Sequence, residues 1–475
     1  MTVLTIKNAT LLPVGGDREW LRGWMTVDAD GRISGVGEGD PPAEGGEVRD
    51  VAGAMVAPGF VSAHSHIYTG GMRGVAANST LYPWVTRNTE MLLAAGAEDL
   101  YWLTLAGSFD FLANGITSAY NFTQSRVLAL FDYASSSMKA AAVRPLEFLT
   151  RQIDATSDAG IRFVASVRLD DEQLPEDEAL GVFGAVMDYA KTTVPPNLYL
   201  GGSVYGSVQW STSPATAERE RAMMDRHGVT NQAHFVETAE QLDIQQAKFD
   251  WYDEAGVLGP DFAFGHFVHP TDRMIDRAAE TGCAMVWQPM SNGRLGSGIA
   301  DIPRILATGM RVGIGLDDQS CTDVSDPFEN MRTGLYTQRA LHSDAAILTP
   351  AQMLRLHTLG AASAIGAADR IGSLEVGKYA DFIIVDPFDP DTGPVWDPVA
   401  TYVLACSTRN LRAVYVGGHC AWAGSRSTHP LADQATRELH QRMVRVAAVN
   451  GFHPALRSQT HHYRHWSQPT AAGPA

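Results

Sequence analysis

The stretch "GFVSAHSHIYTGG", residues 59–71, places His64 and His66 one residue apart at the end of an apolar run. On a β-strand, residues i and i+2 point to the same face, so the two imidazoles stand side by side and aim at one point. Two histidines arranged in this way suggest a metal ligand pair, but an H-x-H motif alone also fits a polar strand face. The rest of the chain has to decide between these readings.

Downstream, short apolar runs recur between longer stretches of helical periodicity: "GITSAYNF" (115–122), "GIRFVASV" (160–167), "LYLGGSVYG" (198–206), "VTNQAHFV" (229–236), "FAFGHFV" (262–268), "CAMVWQP" (283–289) and "MRVGIGLDD" (310–318). With the opening run these make eight β-α units, which predict a closed parallel (β/α)8 barrel of the TIM type over residues 58–370. Residues 1–57 read as short strands, with a hairpin turn at Asp30-Gly31. Residues 371–426 return to strands, with a second turn at Gly417-Gly418. The two terminal pieces are expected to form one small β-sandwich domain. Residues 427–475 read as a helix followed by a polar tail, in which His461, His462 and His465 are taken as part of a flexible end.

Composition narrows the function. Fifty-three acidic against 36 basic residues give a formal charge of −17, and no basic block is present to track a phosphate backbone. A nucleic-acid partner is therefore not expected. The N-terminus lacks the pattern of a cleaved leader, and no run stays apolar long enough to span a bilayer, so the reading is a cytoplasmic protein without a membrane partner. Four widely spaced cysteines, Cys283, Cys321, Cys406 and Cys420, indicate neither a disulfide framework nor a cysteine zinc site.

In such barrels the chemistry sits at the C-terminal ends of the strands. Strand one ends with His64 and His66, strand five with His234, strand six with His266 and strand eight with Asp317. Three imidazoles and a carboxylate suit Zn²⁺, with Fe²⁺ as the alternative, and leave a position for a water acidified by the ion. The fourth run contains no lysine to bridge two metals, and all five lysines (Lys7, Lys139, Lys191, Lys248 and Lys378) lie away from the strand ends. One divalent metal per chain is expected. Glu237, three residues after His234, is placed to shuttle protons. His266 is either a fourth imidazole ligand or a base, and His269 is assigned to packing or to the rim.

The segments "PGFVSAHSH", "HFVE", "GHFVH", "PMSNGRLGSGIADI", "GIGLDD" and "IGSLEVGKYADFIIVD" together resemble the amidohydrolase superfamily, in its cytosine-deaminase-like and triazine-hydrolase branch. The resemblance implies that His64, His66, His234 and Asp317 bind the metal, and that Glu237, His266 and Asp317 carry out catalysis. It further implies that Trp84, Gln288, Asn292, Asp318 and Cys321 face the substrate, with Asp318 and Cys321 favouring an amine leaving group. Leu316, in place of a small hydroxyl residue, and the loop at residues 67–84 depart from the branch pattern. The expected reaction is hydrolysis by a metal-bound hydroxide that displaces an amine from an electron-poor carbon of a nitrogen heterocycle. Cleavage of a urea, carbamate or thiocarbamate is the alternative, and a non-catalytic scaffold on the same fold a more distant one. The expected partners are a small nitrogen-containing substrate and further copies of the chain, as a homodimer or higher homo-oligomer.

Overall fold

The computed structural model describes residues 1–42 and 46–456, so His461, His462 and His465 lie outside the described residues. Eight parallel strands form the barrel: Phe60–His66, Ile116–Phe122, Arg162–Val167, Tyr199–Gly206, Thr230–Phe235, Phe262–His266, Ala284–Trp287 and Arg311–Ile314. The two-residue strand Asp317–Asp318 then pairs with the first strand, Asp317 opposite Ser65 and Asp318 opposite His66, and closes the circle. The eight runs read from the sequence are these strands. Each is buried along nearly its whole length, as expected of a parallel sheet covered by helices. Helix starts follow local chemistry: Asp326 accepts hydrogen bonds from the backbone N–H groups of Phe328 and Glu329 while Pro327 opens the helix Pro327–His342.

One element was not anticipated. After the second strand the chain makes an antiparallel hairpin, Val127–Asp132 with Ser137–Val143, before the next helix. It packs over the helix Leu81–Leu92 at the C-terminal mouth of the barrel. Its turn, residues 133–136, has no Asn-Gly or Gly-Gly pair, so the usual short-range hairpin signal is missing.

The terminal segments share a separate mixed sheet. At its centre Met55–Pro58 runs parallel to Thr2–Leu11 and antiparallel to Phe382–Val385. The turn at Gly417-Gly418 joins Leu411–Val416 to His419–Ala423, with φ of +55° and +74° at the two glycines. Met55–Pro58 leads through Gly59 directly into the first barrel strand, so the small sheet anchors the strand that carries His64 and His66. A side chain at position 59 would come within 2.2 Å of Thr117 Oγ1, which explains the glycine at this junction. The last helix, Ala432–Ala448, lies against Ala97–Ala113, where Arg442 pairs with Asp99 at 2.9 Å. Among the described residues no helix is long and apolar enough to cross a membrane.

Barrel and sheet are tied by a buried ion pair. Arg162, at the start of the third strand, donates from Nε and Nη2 to the two carboxylate oxygens of Asp381, at 2.6 and 3.0 Å. Asp381 also accepts from Gly417 N at 2.7 Å, and the guanidinium lies over the Tyr379 ring. Removing one partner of a buried pair leaves an uncompensated charge, which costs about 3–5 kcal/mol. Asp381→Leu is therefore expected to lower the urea-unfolding free energy by that amount, and adding Arg162→Met is expected to restore more than half of it. A single variant within about 1 kcal/mol of the parent would show that the pair does not hold the two units together.

Candidate metal centre

The predicted ligands meet at the C-terminal mouth of the barrel. His64 Nε2 lies 3.0 Å from His234 Nε2, and His66 Nε2 lies 3.1 Å from the same atom. Asp317 Oδ1 is 3.5 Å from His64 Nε2 and 3.7 Å from His66 Nε2. All four side chains are buried, and their ligand atoms lie within 4.8 Å of one another. A tetrahedral ion bound at about 2.1 Å separates its ligand atoms by about 3.4 Å, so the spacing fits one divalent cation. Lone pairs of three imidazole nitrogens turned towards one another, without a proton between each pair, would repel; a shared cation removes that conflict. The groupings Glu237–His266–Asp317 and Asp317–Asp318–Cys321 both contain Asp317, so among the described residues these candidates mark one centre.

Neighbouring groups set the direction of each ligand. His64 Nδ1 lies 2.6 Å from Gln232 Oε1, and the Gln232 amide donates to Ala63 O at 3.0 Å. That second bond fixes the orientation of the glutamine, so His64 carries its proton on Nδ1 and leaves Nε2 free as a ligand. His64 also needs space: a Cβ at position 265 would meet its ring at 2.9 Å, and one at position 315 would meet its Cβ at 2.6 Å. Glycines on the sixth strand and just after the eighth therefore admit the ring. Phe122 stacks on His66, with centroids 4.9 Å apart and an interplanar angle of 17°. Ser291 donates to Asp317 Oδ2 at 2.6 Å, which leaves Oδ1 towards the imidazoles. His266 and Asp317 both adopt φ of +66°, a left-handed conformation rare outside glycine, and so turn the side chains at the ends of their strands.

Groups able to move protons surround the same point. His266 Nε2 lies 3.5 Å from Glu237 Oε2 and 3.7 Å from Asp317 Oδ2. Burial lowers the His266 pKa to about 3, so the ring is neutral. Burial, reinforced by the charge of Asp317, holds the Glu237 carboxyl well above the usual carboxylate range. The same two causes raise Asp318, whose Oδ1 has no hydrogen-bond partner. The Asp317 pKa is held down at about 2, so the carboxylate is ionised at neutral pH; burial opposes this, and His266, His64 and His66 outweigh it.

The cavity above the cluster, about 870 Å³ counting its open mouth, separates the substrate-facing candidates into two groups. Trp84 and Asp318 line it, and the Trp84 indole donates to Ser320 O at 3.3 Å. Gln288, Asn292 and Cys321 are buried but are not among its lining residues. Gln288 Oε1 instead accepts from His266 N at 2.9 Å, and Cys321 Sγ lies 3.3 Å from Ser291 Oγ, one step behind Asp317. His269 is turned away, with Nε2 2.6 Å from Ser297 O. Sequence reasoning missed Tyr205 and Trp210, whose rings stand 5.1 and 5.5 Å from that of His234, and Arg168, which lines the cavity with Asp170 3.6 Å away. Arg168 directly follows the third strand, so the strand-end rule was a usable signal for it. Gln232 was legible in the same way, two residues before His234 on the same face.

The Amidohydrolase family profile matches residues 55–421. The chain is 28% identical over 439 residues to a 5-methylthioadenosine/S-adenosylhomocysteine deaminase of Desulforudis audaxviator, covering 89% of this chain and 94% of the relative. Among solved structures, an adenosine deaminase from Xanthomonas campestris with bound zinc superposes with a TM-score of 0.79 at 22% identity, over 94% of this chain and 99% of the other. A triazine hydrolase from Arthrobacter aurescens gives 0.82 at 20% identity, over 93% and 100%. With the profile spanning most of the sequence and the ligand cluster assembled at the barrel mouth, the chain belongs to the amidohydrolase family and is a metal-dependent hydrolase with a single divalent-metal site.

Proposed function

We propose that the chain deaminates an amino-substituted nitrogen heterocycle, replacing the C–N bond by C–O and releasing ammonia or an alkylamine. The observation that carries this reading is the position of Glu237. It is a buried carboxyl with Oε2 unpartnered, at the edge of the ligand cluster and on the wall of the cavity. Hydrolysis at such a carbon needs a proton delivered to the adjacent ring nitrogen, and a neutral carboxylic acid at that place is suited to deliver it. The deaminases and triazine hydrolase similar to this chain support the same class of substrate.

In this proposal His64, His66, His234 and Asp317 hold the metal, zinc by preference. A divalent cation held by these four residues would supply a water whose pKa lies nearer neutrality. His266, neutral and between two carboxyl groups, accepts the proton lost by the attacking water, sharing it with Asp317. Glu237 protonates the ring nitrogen as the carbon becomes tetrahedral. Asp318 faces the leaving group from the cavity wall and passes a proton to the departing amine. Trp84, Tyr205 and Trp210 supply flat apolar walls that exclude water from the ring. Gln288, Asn292 and Cys321 act from behind, Gln288 through the His266 backbone and Cys321 through Ser291. The acidic charge of −17 accords with a small-molecule substrate rather than nucleic acid; in this reading the enzyme is cytoplasmic and works as a homo-oligomer.

Two outcomes test these roles. Glu237→Gln is expected to keep its metal, measured by elemental analysis, and to lose ~10²–10⁴ in kcat for ammonia release from an aminotriazine, since the amide has the same shape but cannot give up a proton. Full turnover with full metal would remove Glu237 from the mechanism. On two triazines that differ only in an amino or a chloro leaving group, Asp318→Asn is expected to depress kcat/KM for the amine far more than for the halide, because an amine leaves well only when protonated. Cys321→Ser, acting at one remove, is expected to show no such preference. Equal losses on both triazines for Asp318→Asn would reduce Asp318 to packing.

A further inference from the structure

Lys248 is the one buried lysine of the five, 5% exposed, and the chemistry at the metal centre makes no use of it. It stands between the helices Leu242–Ala247 and Phe249–Glu254, beyond the barrel strand that carries His234. An ammonium taken out of water loses its hydration shell and needs acceptors in return. Here Nζ donates to Gln209 O at 2.8 Å and to Ser211 O at 2.7 Å. These are the carbonyls on either side of Trp210. Burial lowers the Lys248 pKa to about 8, against the opposing charge of Glu172, so the amine is charged at neutral pH and both bonds are charge-assisted.

Trp210 ends a single 3₁₀ turn, Val208–Trp210, in the connection after the fourth barrel strand. Its ring lines the cavity, 5.5 Å from that of His234 and 6.4 Å from that of Tyr205. One such turn closes few backbone hydrogen bonds of its own, here Trp210 N to Ser207 O at 3.0 Å and Ser211 N to Val208 O at 3.1 Å. Two opposite charges grip the segment from outside. Glu172, beyond the third strand, accepts from the backbone N–H groups of Thr212 and Ser213 at 2.7 and 3.0 Å. Lys248 takes the carbonyls that precede them. The anion binds donors and the cation binds acceptors, so residues 209–213 are clamped from the connections on both sides.

We propose that Lys248 is a positioning residue whose ammonium holds Trp210 against the metal centre, so that the indole forms a wall on which the ring of the substrate rests. The ring is the heterocycle of the preceding reading, and to that extent the proposal rests on it. The hold on Trp210 does not.

The test uses the zinc-loaded full chain labelled with fluorotryptophan. Ten tryptophans give ten fluorine NMR lines, and the one lost in Trp210→Phe belongs to Trp210. Lys248→Met keeps the apolar stem and loses the donors; it is expected to shift that line and to open it to broadening by a soluble nitroxide, from which the parent shields it. Lys248→Gln, one bond shorter and uncharged, serves for the same comparison where the methionine variant fails to fold. A Trp210 line as shielded in the variant as in the parent overturns the proposal. In ammonia release from 2-amino-s-triazine, Lys248→Met is expected to raise KM about tenfold with kcat within about twofold, as when a wall that binds ground state and transition state alike is lost. Trp210→Leu is expected to raise KM by a similar factor, and the two together no further, because Lys248 acts through Trp210. A loss that falls on kcat, or factors that multiply in the double variant, overturns the proposal. If the parent releases no ammonia from this compound, the reading of the substrate falls, and the fluorine comparison decides by itself whether Lys248 holds Trp210.

Discussion

The structure depends on holding His64 in a space with no slack. Its ring is completely buried, its Nδ1 is committed to Gln232, and glycines at 265 and 315 are the reason neighbouring strands can close around it. An imidazole so placed has one free lone pair, and it meets His234 and Asp317 there, with the rings of His66 and His266 close by. Burying three imidazoles and a carboxylate at one point is costly unless something neutralises and bonds to them together. The barrel is thus built around a cation-binding point, and the remaining chemistry is arranged about it.

That arrangement explains why protonation states differ among groups so close together. Asp317 stays ionised among imidazoles, whereas Glu237 and Asp318, buried and facing the charge of Asp317, are pushed towards their neutral forms. Two carboxyl groups able to donate and one neutral imidazole able to accept is the set that hydrolysis of an aromatic C–N bond calls for. The small sheet contributes at a distance. Met55–Pro58 sits at its centre and continues into the first barrel strand, so the terminal segments fix the strand on which two of the four ligands ride.

Much of this was legible before any coordinates. His64, His66, His234, His266 and Asp317 end strands, and strand ends of a parallel barrel converge on one mouth, so periodicity and spacing were enough to bring them together. What periodicity does not encode is the direction of a side chain once the strand has given way to a loop. Gln288, Asn292 and Cys321 follow strands seven and eight closely, yet the left-handed turn at Asp317 and the short helix Pro289–Arg294 place them behind the ligands, off the cavity wall. The hairpin at residues 127–143 was missed because its turn lacks glycine or asparagine at the tip. With it went the outer wall of the cavity. Arg168 directly follows the third strand and lay within reach of the strand-end rule, whereas Trp210 lies beyond the fourth strand in the loop, where periodicity gives no direction.

The central claim is that one cation, held by His64, His66, His234 and Asp317, makes this chain an enzyme. The most direct measurement is a zinc titration of chelator-stripped protein, following ammonia release from an aminotriazine at each addition. The account predicts no release from the stripped protein and a linear rise that breaks at one zinc per chain. A break at two, or full release before any zinc is added, would contradict it.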